Sequence, residues 1–176
     1  MNEIIDDKPS PKSLVITLHR TDLLKDIDEK AYLISQTTDN RTDQQRAAIA
    51  DIEQDGQSGI LNEYINEAWA EILHAISGYI PKSLDADTTD NSNYNEYDTF
   101  TCQILATINF NANAIPAVKN ALKNYLEDYA LGMYLSITDK ANATIFLSKA
   151  DDDKWKLKKY LASGVRPWRL RYFPSW

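Results

Sequence analysis

Apolar positions recur along this chain with two different periods, and the switches between them mark out the elements. "SLVITLH" (13–19) is short and β-branched and predicts a strand. Thr21 and Asp22 then offer a helix start, and Leu23, Leu24, Ile27, Ala31 and Ile34 follow at helical spacing. Thr42 with Gln45 three places later is a capping-box pattern, which predicts a short helix from Asp43 to Glu53 that stops at Gly56. The strongest helical pattern runs from Ser58 to Tyr79. Leu61, Ile65, Trp69 (with Ala68), Ile72, Ile76 and Ile80 form its apolar stripe, and Pro81 ends it.

Period two returns in "TFTCQILATINF" (99–110). Phe100, Cys102, Ile104, Ala106, Ile108 and Phe110 point one way, and polar residues point the other with Leu105 as the exception, so a half-buried strand is predicted. Asn113 is placed to cap the next helix, with Pro116 in its first turn. Ile115, Val118, Leu122, Tyr125 or Leu126, Tyr129, Met133 and Ile137 make its stripe. A last helix follows Asp139, and a break is expected near Ala150, where "DDDK" interrupts the apolar pattern. Asp151 to Asp153 would suit a new N-terminus and Lys154 to Lys159 the later turns, with Gly164 as the residue past the end.

These elements predict a mainly α fold: a bundle of four to five helices with a small two-stranded β element and extended terminal arms. The expected divisions are an N-terminal arm (1–12), a helical domain (13–164) and a C-terminal arm (165–176). Within the domain, residues 82–98 ("KSLDADTTDNSNYNEYD") read as a long polar, acidic loop. If the two strands pair, the sheet is tiny and its edges lie open to another copy or to a strand-like tail.

Composition narrows the chemistry. The chain has 176 residues, 43% of them apolar, enough for one domain with a core. Five glycines, with only Gly56 and Gly59 close together and no Gly-Lys-Ser/Thr after them, argue against a phosphate-cradling loop. Cys102 is the only cysteine, so no intramolecular disulfide can form, and its place on an apolar strand face predicts a buried small hydrophobe. No apolar run of about 18 residues predicts a transmembrane helix, and "MNEIIDDKPSPK" lacks the apolar segment of a secretion signal. A soluble protein made in a reducing compartment is expected.

The candidate catalytic and metal-binding groups are sparse. His19 and His74 are the only histidines, and Glu71 with His74 is a single i, i+3 pair. The loop acids Asp85, Asp87, Asp90, Glu96 and Asp98 lack the glycine and spaced glutamate of a calcium loop. No Gly-x-Ser-x-Gly is present. The expectation is therefore no catalytic residue, no metal ligand and no cofactor, with a carboxylate-based enzyme kept as a rival. Tyr64, Tyr125, Tyr129, Tyr134 and Tyr160 fall on predicted helices as core-edge residues with hydroxyls at the surface, or as interface residues.

The C-terminus changes this picture. Residues 154–176 hold seven basic residues and no acid, whereas the first 153 residues hold twelve basic residues and all 26 acids. An acidic body of net charge −14 thus carries a basic end of +7. The last twelve residues, "VRPWRLRYFPSW", interleave Arg166, Arg169 and Arg171 with Trp168, Leu170, Tyr172, Phe173 and Trp176. Three uses fit them: a lid folded back on the same domain, a stacking surface for single-stranded nucleic acid, or an arm docked on a neighbouring protein. The acidic body counts against nucleic acid. Alternation of Trp168, Leu170 and Tyr172 with Arg169 and Arg171 is the pattern of an added strand, bracketed and stiffened by Pro167 and Pro174.

The order of parts resembles the neck proteins of tailed bacteriophages, the head–tail connector or adaptor group, especially those from phages of gut Bacteroides. The likeness covers residues 13–164 and rests on the long helix "ILNEYINEAWAEILHAISGYI", the polar loop, the strand "TFTCQILATINF", the helix "AIPAVKNALKNYLEDYALGMYLSI" and the basic aromatic end. It implies a virion structural protein, assembled in the host cytoplasm, that forms a ring beneath the portal around the DNA channel, often with twelve copies. Its partners would be other copies of itself and the portal and tail or neck proteins. DNA would be near but bound at most non-specifically, and no membrane would be involved. The alternative is a soluble helical adaptor or regulator that binds a heterologous protein through the C-terminal arm.

Overall fold

The computed structural model describes residues 12–37, 43–50, 58–81, 99–106, 110 and 112–162. The described elements are β1 (Lys12–His19), α1 (Arg20–Thr37), α2 (Asp43–Ala50), α3 (Ser58–Ala75), a one-turn 3-10 helix (Ser77–Tyr79), β2 (Thr99–Ala106), a second such turn (Ala112–Ala114), α4 (Ile115–Thr138) and α5 (Lys140–Ala162). The fold is mainly helical with one small sheet, as the pattern predicts. The loop 82–98, the arm 1–11 and residues 163–176 lie outside the described residues.

The two predicted strands pair with each other, antiparallel, from Lys12 opposite Ala106 to His19 opposite Thr99. This register sets Leu14, Ile16 and Leu18 against Ile104, Cys102 and Phe100. Ile16, Leu18, Phe100, Cys102 and Ile104 are all buried. β1 begins at Lys12, one residue before the expected boundary.

Helix α4 is the centre of the bundle, since α1, α2, α3 and α5 all pack against it. α3 presents Leu61, Ile65, Ala68 and Ile72 to the core, and Ile76 just past its end joins them, all fully buried. Trp69, expected in that stripe, sits one position round the helix and is only partly buried, with its ring tilted against Phe100 at 5.3 Å. The 3-10 turn follows, and Tyr79 and Ile80 pack against the core from its edge.

Three sequence expectations are corrected here. Asn113 lies in the short 3-10 turn, and the residue at the N-cap of α4 is Ala114, with no side-chain cap. The stripe of α4 holds through Val118, Leu122, Tyr125 and Leu126 but then passes through Leu131, Tyr134 and Leu135, leaving Met133 half-buried and Ile137 exposed. α5 runs unbroken through "DDDK". Its buried positions, Ala143, Phe146, Ala150, Asp153, Leu157 and Leu161, step by three or four, and Asp151 and Asp152 simply fall on the exposed face.

α4 and α5 form a tight antiparallel hairpin. The Asp139 carboxylate between them accepts from the Asn142 backbone N–H (3.3 Å) and side-chain amide (2.6 Å), a cap of the first turn of α5. Gly132 lets the helices touch, because a Cβ there would stand 2.8 Å from Leu147 Cγ and 3.1 Å from its backbone nitrogen.

Candidate functional site

The outer face of the sheet is the polar half of the two alternating strands. Ser13, Val15, Thr99, Thr101 and Gln103 are exposed on it, Val15 at 61%. Gln103 donates to Ser13 Oγ at 2.6 Å, and the Thr17 and Thr101 hydroxyls meet at 3.2 Å, so cross-strand side chains lock the pair from outside. Only two strands make this sheet among the described residues, so each has one edge with no strand beside it.

What anchors the sheet is Arg20, at the junction of β1 and α1. Its side chain is almost wholly buried, and its two terminal nitrogens donate to Asn62 Oδ1 and Asn66 Oδ1, both at 2.8 Å, one turn apart on α3. Its guanidinium also stacks 4.8 Å from the centre of the Phe100 ring. One residue thus ties β1, α1, α3 and β2 together. Sequence reasoning left it unassigned, between the strand 13–19 and the helix start at Thr21 and Asp22. The signal available was Asn62 and Asn66 at i, i+4 on the strongest helix, which by itself names no partner.

A second polar cluster joins α1 to α4. Lys30 Nζ lies 2.9 Å from Glu127 Oε2 and 2.5 Å from Asp128 Oδ1. Lys123 donates to Asp26 and stands 3.6 Å from Glu127 Oε1. Glu127 is buried, and that burial raises its pKa even though both lysines pull it down. Burial likewise works against the Lys30 ammonium, but the Asp128 hydrogen bond and the Glu127 charge outweigh it and raise its pKa. The hydrogen bond from Lys123 lowers the pKa of Asp26. These groups are spent on one another and on holding two helices in register.

Two hollows flank this cluster. One, of about 110 Å³, is lined by Thr17, Leu18, His19, Asp22, Leu23, Lys119 and Lys123, and so lies beside β1 with no β2 residue in its wall. The other, of about 280 Å³, is formed by Lys30, Leu33, Ile34, Asp128, Phe146 and Lys149. On the far side of α4, Lys154 of α5 donates to Glu71 of α3, and Tyr129 donates to Glu67 at 3.2 Å. Tyr125 is fully buried between them. Its hydroxyl meets no partner in hydrogen-bond geometry, and burial together with the nearby Glu71 carboxylate raises its pKa strongly. A surface hydroxyl was expected there, and the packing of α3 and α5 over α4 overturns it.

The other candidate groups are placed as follows. Cys102 is buried, and burial pushes its thiol up to about 11, so it is a packing residue rather than a nucleophile at neutral pH. His19 and His74 are exposed, and Glu71, the sequence neighbour of His74, is engaged by Lys154 instead. Among the described residues no group of three or more His, Cys, Asp or Glu is set to hold a metal ion, and no helix is long and apolar enough to cross a membrane. Arg166, Trp168, Arg169, Leu170, Arg171, Tyr172, Phe173 and Trp176 all lie outside the described residues, as do the loop acids from Asp85 to Asp98. The chain matches no protein-family model, no curated protein and no solved structure.

Proposed function

We propose that this is a structural protein of a tailed-phage neck, one copy of a ring that joins portal to tail around the DNA channel. The observation that carries the reading is the division of the molecule into a cross-braced acidic body and a basic aromatic arm. The body has net charge −14 up to Asp153, and the arm places three arginines and four aromatic rings in its last eleven residues. Opposite charges on the two parts of identical chains favour arm-to-body attraction between copies, and aromatic burial adds affinity that salt does not screen. An acidic wall also suits a channel through which DNA must pass without sticking.

The polar groups of the body support an assembly role in the same way. Arg20, Lys30, Lys123 and Lys154 are each engaged between elements, which stiffens the body against load. Imaging the purified chain at high concentration by electron microscopy tests the proposal, and closed rings with a central channel are the expected result. Genes for portal and capsid beside its own gene are expected as well. A chain that remains monomeric alone and beside such a portal, in a gene neighbourhood free of virion genes, returns the reading to the heterologous adaptor.

A further inference from the structure

We infer that the outer face of α5 around Trp155 docks on the outer face of α3 in a neighbouring copy. This rests on the assembly reading above and gives that assembly a contact between bodies. Trp155 is 61% exposed. α5 buries Phe146, Ala150, Asp153, Leu157 and Leu161, and helical geometry turns Trp155 and Lys159 to the opposite side. The Lys159 ammonium lies over the Trp155 ring, 5.1 Å from its centre, and Lys158 is exposed beside it. Lys154 and Lys156 spend their charges on Glu71 and Asp153, whereas Lys158 and Lys159 have no carboxylate partner among the described residues. Tryptophan is a residue type that anchors interfaces, and the lysines beside it select an acidic partner surface.

Among the other described helices, α3 alone offers such a surface. Glu63, Glu67, Ala70 and His74 are exposed along its outer side. Glu63 has no basic partner among the described residues, and Glu67 accepts from the Tyr129 hydroxyl rather than from a base. The exposed acids of α1 stand beside lysines: Glu29 lies 3.9 Å from Lys25, and Asp22 shares its hollow with Lys119 and Lys123. α2 carries Arg46 one turn from Asp43, and the acids of α4 are buried.

Set antiparallel, the two outer rows match. α5 read backwards gives Lys159, Trp155 and Asp152, and α3 read forwards gives Glu67, Ala70 and His74. Steps of three and four residues keep each row on one face. Lys158 and Lys159 then stand by Glu63 and Glu67, the Trp155 ring covers the small Ala70, and Asp152 comes beside His74. Within one chain, Lys154 and Glu71 join α5 to α3 along their facing sides, so both outer rows are left for neighbours. Donor and receiver are different surfaces, so the contact repeats head to tail from copy to copy, as a ring requires.

Sedimentation of the full chain over a concentration series, with thermal midpoints for each variant, tests this. The unaltered chain should self-associate. Trp155→Ala should weaken that association at least about tenfold and leave the thermal midpoint of the monomer unchanged. Lys158→Glu with Lys159→Glu should abolish association, and so should Glu63→Lys with Glu67→Lys. Mixed in equal amounts, these two charge-reversed chains should assemble again, because each offers the other an oppositely charged face. Association that survives every substitution, or reversed chains that stay apart when mixed, overturns the inference and leaves the assembly reading standing. A monomer midpoint that falls in Trp155→Ala places the ring under its own chain and also overturns it. If the unaltered chain sediments as a monomer at every concentration, the inference falls, and the assembly reading then rests on its portal and gene-neighbourhood test.

Discussion

Helix α4 is gripped in two different ways on two of its sides. Against α5 the contact is steric: Gly132 lets Leu147 approach so closely that a single added carbon has no room. Against α1 the contact is ionic, a chain of alternating charges from Asp26 through Lys123, Glu127 and Lys30 to Asp128. The first interface gains from dispersion and excluded water, and it depends on shape. The second must offset the cost of burying Glu127, and it fixes which turn of α1 meets which turn of α4. Close packing supplies the larger share of stability, and the charges supply register.

The largest expected effect is on the packed side. Leu157 of α5 is fully buried, so Leu157→Ala should cost about 3 kcal/mol in denaturant unfolding, with little dependence on salt. A loss under about 1 kcal/mol would show that α5 is a loosely attached helix and that the contrast is wrong.

Lys30→Ala attacks the ionic side. It removes the partner of two buried carboxylates, and the roughly 3–5 kcal/mol typical of breaking a buried pair is reduced because the Lys30 side chain is itself 31% exposed. About 2 kcal/mol is expected, shrinking as salt is added. A double-mutant cycle with Glu127→Gln should show coupling between the two residues, and additive losses would dissolve the network into independent contacts.

Gly132→Ala separates shape from propensity. Alanine favours a helix interior by about 1 kcal/mol, while overpacking at Leu147 costs about 1–3 kcal/mol. A net loss of about 1 kcal/mol is expected, and a stabilised variant would mean that the two helices part easily.

Tyr125→Phe is the smallest change and carries the opposite sign. Deleting a buried hydroxyl that no described residue meets in hydrogen-bond geometry should stabilise the protein by about 1 kcal/mol at neutral pH. Its strongest signature is in alkali. Burial raises the pKa values of Tyr125 and Tyr134 above 10.0, pushes Tyr129 up to about 12 and takes Cys102 from 9.0 to about 11. Groups with raised folded pKa values contribute stability that is complete below the unfolded value and lost as pH rises through the folded one. Thermal midpoints should therefore fall between about pH 9 and 12, the interval spanned by Cys102 and Tyr129, and fall less steeply in Tyr125→Phe. In acid the two carboxylates of the ionic cluster act in opposite directions: the lowered pKa of Asp26 loses stability as pH falls, while the raised pKa of Glu127 gains it.

β2 was readable because one of its faces is buried and the other is wet, which leaves a period of two in the residues themselves, whereas β1 was read from its short β-branched run. The stripe of α3 was readable for the same reason as β2, with one face toward the core. α4 was readable only in its first half. Four helices surround it, so burial takes in Leu131, Tyr134 and Leu135 and even Glu127 and Asp128, and no single stripe describes it. The "DDDK" of α5 looked like a boundary because charge in a row suggests a break, yet only Asp153 turns inward, where it accepts from Lys156 at 2.6 Å. Of the candidate site, the sheet's outer face was visible in the alternation, whereas Arg20 and the lysine partners were not.

The sequence by itself determined the elements, their mainly helical balance, the buried cysteine and the separation of an acidic body from a basic aromatic arm. Those follow from local periodicity and composition, which any stretch of chain carries within itself. Only the tertiary structure decided that β1 pairs with β2 rather than with a neighbour, that Arg20 reaches Asn62 and Asn66, and that Lys30 meets Glu127 and Asp128. Residues in such pairs lie between 42 and 98 positions apart, and a side chain with several possible partners at that distance gets one only when packing brings the helices together.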